Sequence, residues 1–103
     1  MRDRSHDDAM ADLFLKEPSV AVELLDEILE GGDQAELMTA LRQLTKAFGG
    51  VTAVAERANL NKTQAYRTLS PDGNPTVASL RSILKAMGLR IAIKPIQPHN
   101  HAV

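Results

Sequence analysis

The sequence predicts an all-α fold: a bundle of about five helices followed by one short β-strand near the C-terminal end. Three observations carry this expectation. Apolar residues recur three and four positions apart through most of residues 18–88, which places their side chains on one stripe of a helix. Glycine pairs and cap-type residues cut that pattern into pieces of helical length. Only the run Leu89 to Lys94 changes to strict alternation, the period of a strand.

Taken in order, residues 1–12 are charged and lack an apolar period, and read as a flexible acidic N-terminal arm. Residues 13–32 form an N-terminal helical segment. Leu13 to Leu15 is a short apolar anchor, and Pro18 or Ser19 opens a helix. A proline in the first turn lacks only an N–H that has no helical partner there. Ala21, Leu24, Leu25, Ile28 and Leu29 make its stripe, and Gly31-Gly32 ends it. Residues 33–88 form the next unit. Asp33 suits an N-cap, and Glu36 three residues on completes a capping box. Leu37, Leu41, Leu44 and Phe48 form the stripe, and Gly49-Gly50 stops it. Two short helices follow, Val51 to Ala58 and one from Asn61, with a turn at Asn59-Leu60. Ala65 and Leu69 point inward from the second. Residues 70–75, Ser-Pro-Asp-Gly-Asn-Pro, are dense in turn residues and read as a loop. Thr76 caps a final helix with apolar positions Val77, Leu80, Ile83, Leu84 and Met87, and Gly88 follows as its left-handed terminator.

The strand covers residues 89–95, with Leu89, Ile91 and Ile93 alternating with Arg90, Ala92 and Lys94 before Pro95. A single strand cannot satisfy its own N–H and C=O groups. It must pair with a second copy, with a partner protein, or with water. The dimeric reading puts Leu89, Ile91 and Ile93 at a homodimer interface. Residues 96–103 read as a disordered tail.

Composition narrows the function classes. A chain of 103 residues that is 44% hydrophobic and 24% charged fits one small globular domain. It has no cysteine, which excludes disulfides, thiol catalysis and cysteine-based zinc sites and fits a reducing compartment. No apolar run approaches the length of about 18 residues needed to span a bilayer. The opening MRDRSHDDAMADLF lacks an apolar leader segment. A cytoplasmic protein without membrane contact is therefore expected. Its only aromatics are Phe14, Phe48 and Tyr66, too few for the stacking platforms that hold single-stranded nucleic acid.

The net charge of −1 hides a strong polarity. Residues 1–36 carry eleven acidic against three basic residues, whereas residues 37–103 carry nine basic against two acidic. Such a split points to two partner surfaces of opposite sign; the alternative is two solvated faces. His6-Asp7-Asp8 and His99-Asn100-His101 contain metal-ligand types but lie in expected frayed ends, with no scaffold to fix ligand geometry. Glu23, Asp26, Glu27 and Glu30 lie mainly on the polar face of one helix, where nothing apolar raises a pKa for acid catalysis. No phosphate-cradling glycine loop and no nucleophile–histidine–acid arrangement is present. The chain reads as non-enzymatic, with no catalytic residue, metal or cofactor.

The informative stretch is VTAVAERANLNKTQAYRTL, residues 51–69. Two short helices joined by a tight turn, with Val54, Ala55 and Ala58 inward, describe a helix-turn-helix. Ala55 is small enough for a close, steep crossing. Asn59 takes the turn position that needs positive φ, and Leu60 plugs the turn into the core. Asn61 then caps a helix exposing Lys62, Thr63, Gln64, Tyr66 and Arg67. These types suit double-stranded DNA. Lys62 and Arg67 reach phosphates or guanine O6 and N7, Gln64 can bind adenine, and Thr63 serves a phosphate or a thymine methyl. The positive end of the helix adds to the attraction for phosphates. Tyr66 either donates to a phosphate or packs as a rim residue under the 70–75 loop. Thr52, in the first turn of the preceding helix, completes the DNA-binding set.

Residues 51–88 resemble the Cro/C1-type (XRE-like) helix-turn-helix family. Over residues 13–96 the chain resembles addiction-module antidote proteins, small HigA-like antitoxins. The resemblance rests on the Glu30-Gly31-Gly32-Asp33 junction, Ala55, Tyr66, the loop Leu69-Ser70-Pro71-Asp72-Gly73-Asn74-Pro75, and Gly88-Leu89-Arg90. Asn59 stands where the family usually has glycine. Asn61-Lys62-Thr63-Gln64 departs from its common Ser-Arg-Glu start, so no operator sequence carries over. The resemblance implies an antitoxin of a type II toxin–antitoxin module. Such a protein neutralises a RelE/HigB-like ribonuclease, usually small and basic, and represses its own operon by binding DNA as a dimer. The acidic residues Glu23, Asp26, Glu27 and Glu30 are then expected to meet the toxin. Two alternatives compete: a stand-alone XRE-like transcriptional regulator, and a helical interaction module that has lost DNA binding.

Overall fold

The computed structural model of the protein describes residues 5–96. Six helices follow one another: α1 (His6–Lys16), α2 (Pro18–Gly31), α3 (Gln34–Ala47), α4 (Val51–Ala58), α5 (Lys62–Thr68) and α6 (Val77–Ala86). The described residues are all-helical, with loops between the helices and no strand.

The first helix corrects the sequence reading. Residues 6–12 are not a flexible arm but the opening turns of α1. Ser5 caps it by accepting from the Asp8 N–H at 3.0 Å. Asp7 and Asp8 in the first turn and Lys16 in the last complement the helix dipole. The charged appearance of the stretch conceals a narrow apolar face, with Ala11 and Phe14 buried and Met10 packed against the core. Polar ties fix α1 to α3: buried Gln43 donates to Asp7 Oδ1 at 2.9 Å, and Lys46 forms an ion pair with Asp8. The first residues of the expected arm, the His99-Asn100-His101 cluster and nearly all of the expected tail lie outside the described residues.

Beyond α1 the local signals decide the boundaries. Pro18 opens α2, and Gly32 leaves it in extended conformation. Asp33 and Glu36 form a reciprocal capping box, with N–H to carboxylate distances of 2.8 and 2.9 Å. Thr76 caps α6 by accepting from Ser79 N–H at 3.0 Å. At its far end Gly88 has φ +80°. Its N–H bonds to the Lys85 carbonyl at 3.0 Å, and that of Leu89 bonds to the Leu84 carbonyl at 2.8 Å, the paired closure of a left-handed helix terminus.

The core is built around α3, which packs on α1, α2 and α4, while α4 packs on α5 and α6. Met38 and Leu41 are sealed from solvent, with Phe14, Ala21, Leu25, Val54, Leu69, Ile83, Leu84 and Met87 in the same cluster. Contact on several sides widens the buried arc of α3 beyond one stripe. Hence Met38, Gln43 and Thr45 are buried, whereas the expected Leu37 and Phe48 are only half-buried. Two other expected core positions are corrected. Leu29 lies one residue beyond Ile28, about 100° round the helix, and Val77 is the first residue of α6; both face solvent.

Residues 89–96 run along the molecule without regular structure. Leu89 reaches the core, and the residues after it make no backbone hydrogen bond among the described residues. The alternation at 89–95 therefore forms no strand in the isolated chain. A ladder needs a second strand, and the described residues offer none.

Candidate nucleic-acid interface

The turn between α4 and α5 is set by its sequence. Asn59 adopts φ 57° and ψ 42°, a conformation that asparagine tolerates better than most residues with a Cβ. The Leu60 N–H bonds to the Ala55 carbonyl at 2.9 Å and that of Asn59 to the Glu56 carbonyl at 3.2 Å, so α4 ends abruptly. Leu60 packs on the core. Val54, Ala55 and Ala65 are buried, and the two alanines leave room for close contact between the helices. Asn61 caps α5, its side chain accepting from the Gln64 N–H at 3.1 Å.

With Ala65 inward, α5 turns Lys62, Thr63, Gln64, Tyr66 and Arg67 to solvent. Neither Lys62 nor Arg67 forms an ion pair among the described residues, where the pairs are Lys46–Asp8 and Lys94–Asp26. Among the described residues, nothing neutralises the two cations. Thr52 and Tyr66 come together, their hydroxyl oxygens 3.5 Å apart. Tyr66 is 53% exposed, so it stands on the surface rather than under the following loop. Asn61 differs from its neighbours because its carbonyl oxygen is occupied by the cap, leaving only its amide to a ligand.

The scaffold behind α5 is polar and close-fitting. Ser70 Oγ donates to the Arg67 carbonyl at 2.8 Å. Gly73 N–H donates to the Ser70 carbonyl at 2.8 Å, and Gln34 Nε2 donates to the Gly73 carbonyl at 3.2 Å. Arg57 donates to the Phe48 carbonyl at 2.6 Å, joining α4 to the end of α3. Sequence reading had no means of seeing the Gln34 or Arg57 bonds, since both link residues that share no periodicity.

The expected toxin-facing residues Glu23, Asp26, Glu27 and Glu30 are all exposed on α2. They are not equivalent, because Asp26 Oδ2 accepts from Lys94 Nζ at 3.2 Å. Of the expected dimer residues, Leu89 is half-buried while Ile91 and Ile93 are exposed. Val22 and Leu29 lie beside that segment, an apolar flank of α2 that the sequence reading missed. Its signal was Val22, an apolar residue outside the expected stripe, next to Leu29, which that stripe had wrongly included. Among the described residues, no group of three or more His, Asp or Glu side chains is placed to hold a metal ion. No helix there is long and apolar enough to cross a membrane.

A family model described as "Probable addiction module antidote protein" matches residues 7–95. The chain belongs to this family of addiction-module antidotes. A curated relative from Haemophilus influenzae, described as an uncharacterized protein, is 29% identical over 70 residues, covering 68% of this chain and 71% of the relative. No solved structure matches the chain at a significant level. An antidote implies a toxin as its partner, and the match begins at Asp7 within α1, so nearly all of α1 lies in the matched region.

Proposed function

We propose that this antidote is a HigA-like antitoxin with a Cro/C1-type helix-turn-helix, which represses its own operon by binding double-stranded DNA as a cytoplasmic homodimer. The carrying observation is the solvent face of α5: Lys62, Thr63, Gln64 and Arg67 are all exposed behind a tight left-handed turn, with both cations unpaired among the described residues. Arg67 and Gln64 are suited to base edges, and Lys62, Thr63, Thr52, Tyr66 and the Asn61 amide to phosphates. The protein acts by binding, without catalysis or a cofactor.

The toxin of this reading is a small basic RelE/HigB-like ribonuclease. Glu23, Glu27 and Glu30 on α2 form its docking row, with Asp26 at the border of that row because Lys94 already engages it. Opposite charge raises the association rate more than the affinity. Homodimerisation through Leu89, Ile91 and Ile93 would complete the strand that the isolated chain leaves unpaired.

The test is a mobility-shift titration on the chain's own promoter at several salt concentrations, together with co-expression beside the adjacent small basic open reading frame. A specific, salt-sensitive complex and rescue of growth are expected. Operator binding without any toxic neighbour would instead identify a stand-alone regulator. Absence of a specific complex would refute the repressor half.

A further inference from the structure

The face formed by α2 and residues 89–96 joins residues assigned separately above to the toxin and to the dimer. Val22, Leu29, Ile91, Ile93 and Ile96 are all exposed there, Ile93 at 96% and Ile96 at 90%. The Lys94–Asp26 pair bridges the segment to the helix. One cleft beside the pair is lined by Val22, Leu29, Arg90 and Ile91, and another by Leu29, Glu30, Pro95 and Ile96. Isolated exposed apolar residues are ordinary, but a cluster at one place marks an interaction surface. The backbone of residues 90–96 also lacks hydrogen-bond partners among the described residues, as an edge awaiting another strand does.

Charge identifies the occupant. The helix side of this face is acidic, with Glu23, Asp26 and Glu30, and the segment side is basic, with Arg90 and Lys94. A uniformly basic partner would be repelled by the segment side. A surface carrying both signs side by side is complementary to itself when rotated by a two-fold axis, as an isologous dimer requires. We infer that a second copy of this chain seats on the α2 and 89–96 face, its Lys94 pairing with Asp26 of the first copy and the reverse. The inference rests on the homodimer reading and adds to it the role of α2 and the exchange of the ion pair. It also moves Asp26, with its cleft neighbours Glu23 and Glu30, out of the toxin-binding row and into the dimer contact, leaving Glu27, which lines neither cleft, to the toxin.

The experiment is sedimentation equilibrium on the full chain with the variants Asp26→Lys, Lys94→Asp and Ile93→Ser, each checked for unchanged helical content. All three positions are exposed, so folding is not at risk. The wild type is expected to dimerise, and each variant to raise the dimer dissociation constant at least tenfold. An equimolar mixture of Asp26→Lys and Lys94→Asp is expected to form a 1:1 heterodimer close to wild-type affinity, since both crossed pairs become complementary. Variants that dimerise like the wild type, or a mixture that restores nothing, would overturn the inference while leaving a homodimer built elsewhere. A wild-type chain that stays monomeric at every concentration would overturn the homodimer reading itself.

Discussion

Gly73→Ala tests the loop that follows α5. An alanine Cβ at this position would stand 2.1 Å from the Thr68 carbonyl oxygen and 2.9 Å from that of Ser70. Carbon and oxygen ordinarily approach no closer than about 3.3 Å. The obstructing atoms are backbone, at the end of α5 itself, so no side chain can swing aside. The loop must move out by roughly 1 Å to reach ordinary contact. That motion strains the Gly73 N–H bond to the Ser70 carbonyl, 2.8 Å, and the Gln34 bond to the Gly73 carbonyl, 3.2 Å. Each such bond contributes about 0.5–1.5 kcal/mol net, and residual backbone strain adds about 1 kcal/mol. The expected loss is therefore about 2–4 kcal/mol. For a domain of this size each kcal/mol lowers Tm by about 4–8 °C. Thermal unfolding followed by circular dichroism should show a drop of about 10 °C or more. Gln34→Ala, which removes only one of the two bonds, should cost no more than about 1.5 kcal/mol. A Gly73→Ala protein melting within about 2 °C of the wild type would mean that the loop relaxes freely, refuting the close-approach argument.

Three further outcomes are expected. Arg67→Ala and Lys62→Ala should each weaken operator binding by about 1–3 kcal/mol where the side chain reads a base, or reduce the salt slope by about one where it touches only phosphate; unchanged titrations for both would remove α5 from the interface. Leu84→Ala truncates a buried side chain of α6 and should cost about 2–5 kcal/mol in urea denaturation, with a loss under about 1 kcal/mol showing that the site collapses around the cavity. Asn59→Val should destabilise by about 1–2 kcal/mol because φ is +57°, whereas Asn59→Gly should leave stability equal or slightly higher; equal melting of both variants would contradict the left-handed turn.

Much of the molecule was legible because its signals are local. Glu36 three residues after Asp33, Thr76 before an apolar helix, and Gly88 after one each act within a single turn, and each lies where the sequence reading put it. The stretch from α4 to α5 was legible for the same reason: a small inward residue, a left-handed asparagine and a cap occur in order at Ala55, Asn59 and Asn61. The N-terminal helix was not, since its apolar face is only Met10, Ala11 and Phe14 amid charge. It is held by contact with α3 rather than by its own periodicity.

The sequence by itself determined where α2 to α6 begin and end, which face of α5 stays wet, and how the charge divides between the two parts of the chain. Those properties depend on neighbours in sequence. Only the tertiary structure decided that residues 6–12 are packed, that Met38 rather than Leu37 is sealed, and that Lys94 reaches Asp26. Each of these depends on which surfaces meet across many residues of chain, and hydrophobic periodicity states that a face seeks burial without naming the face it will meet.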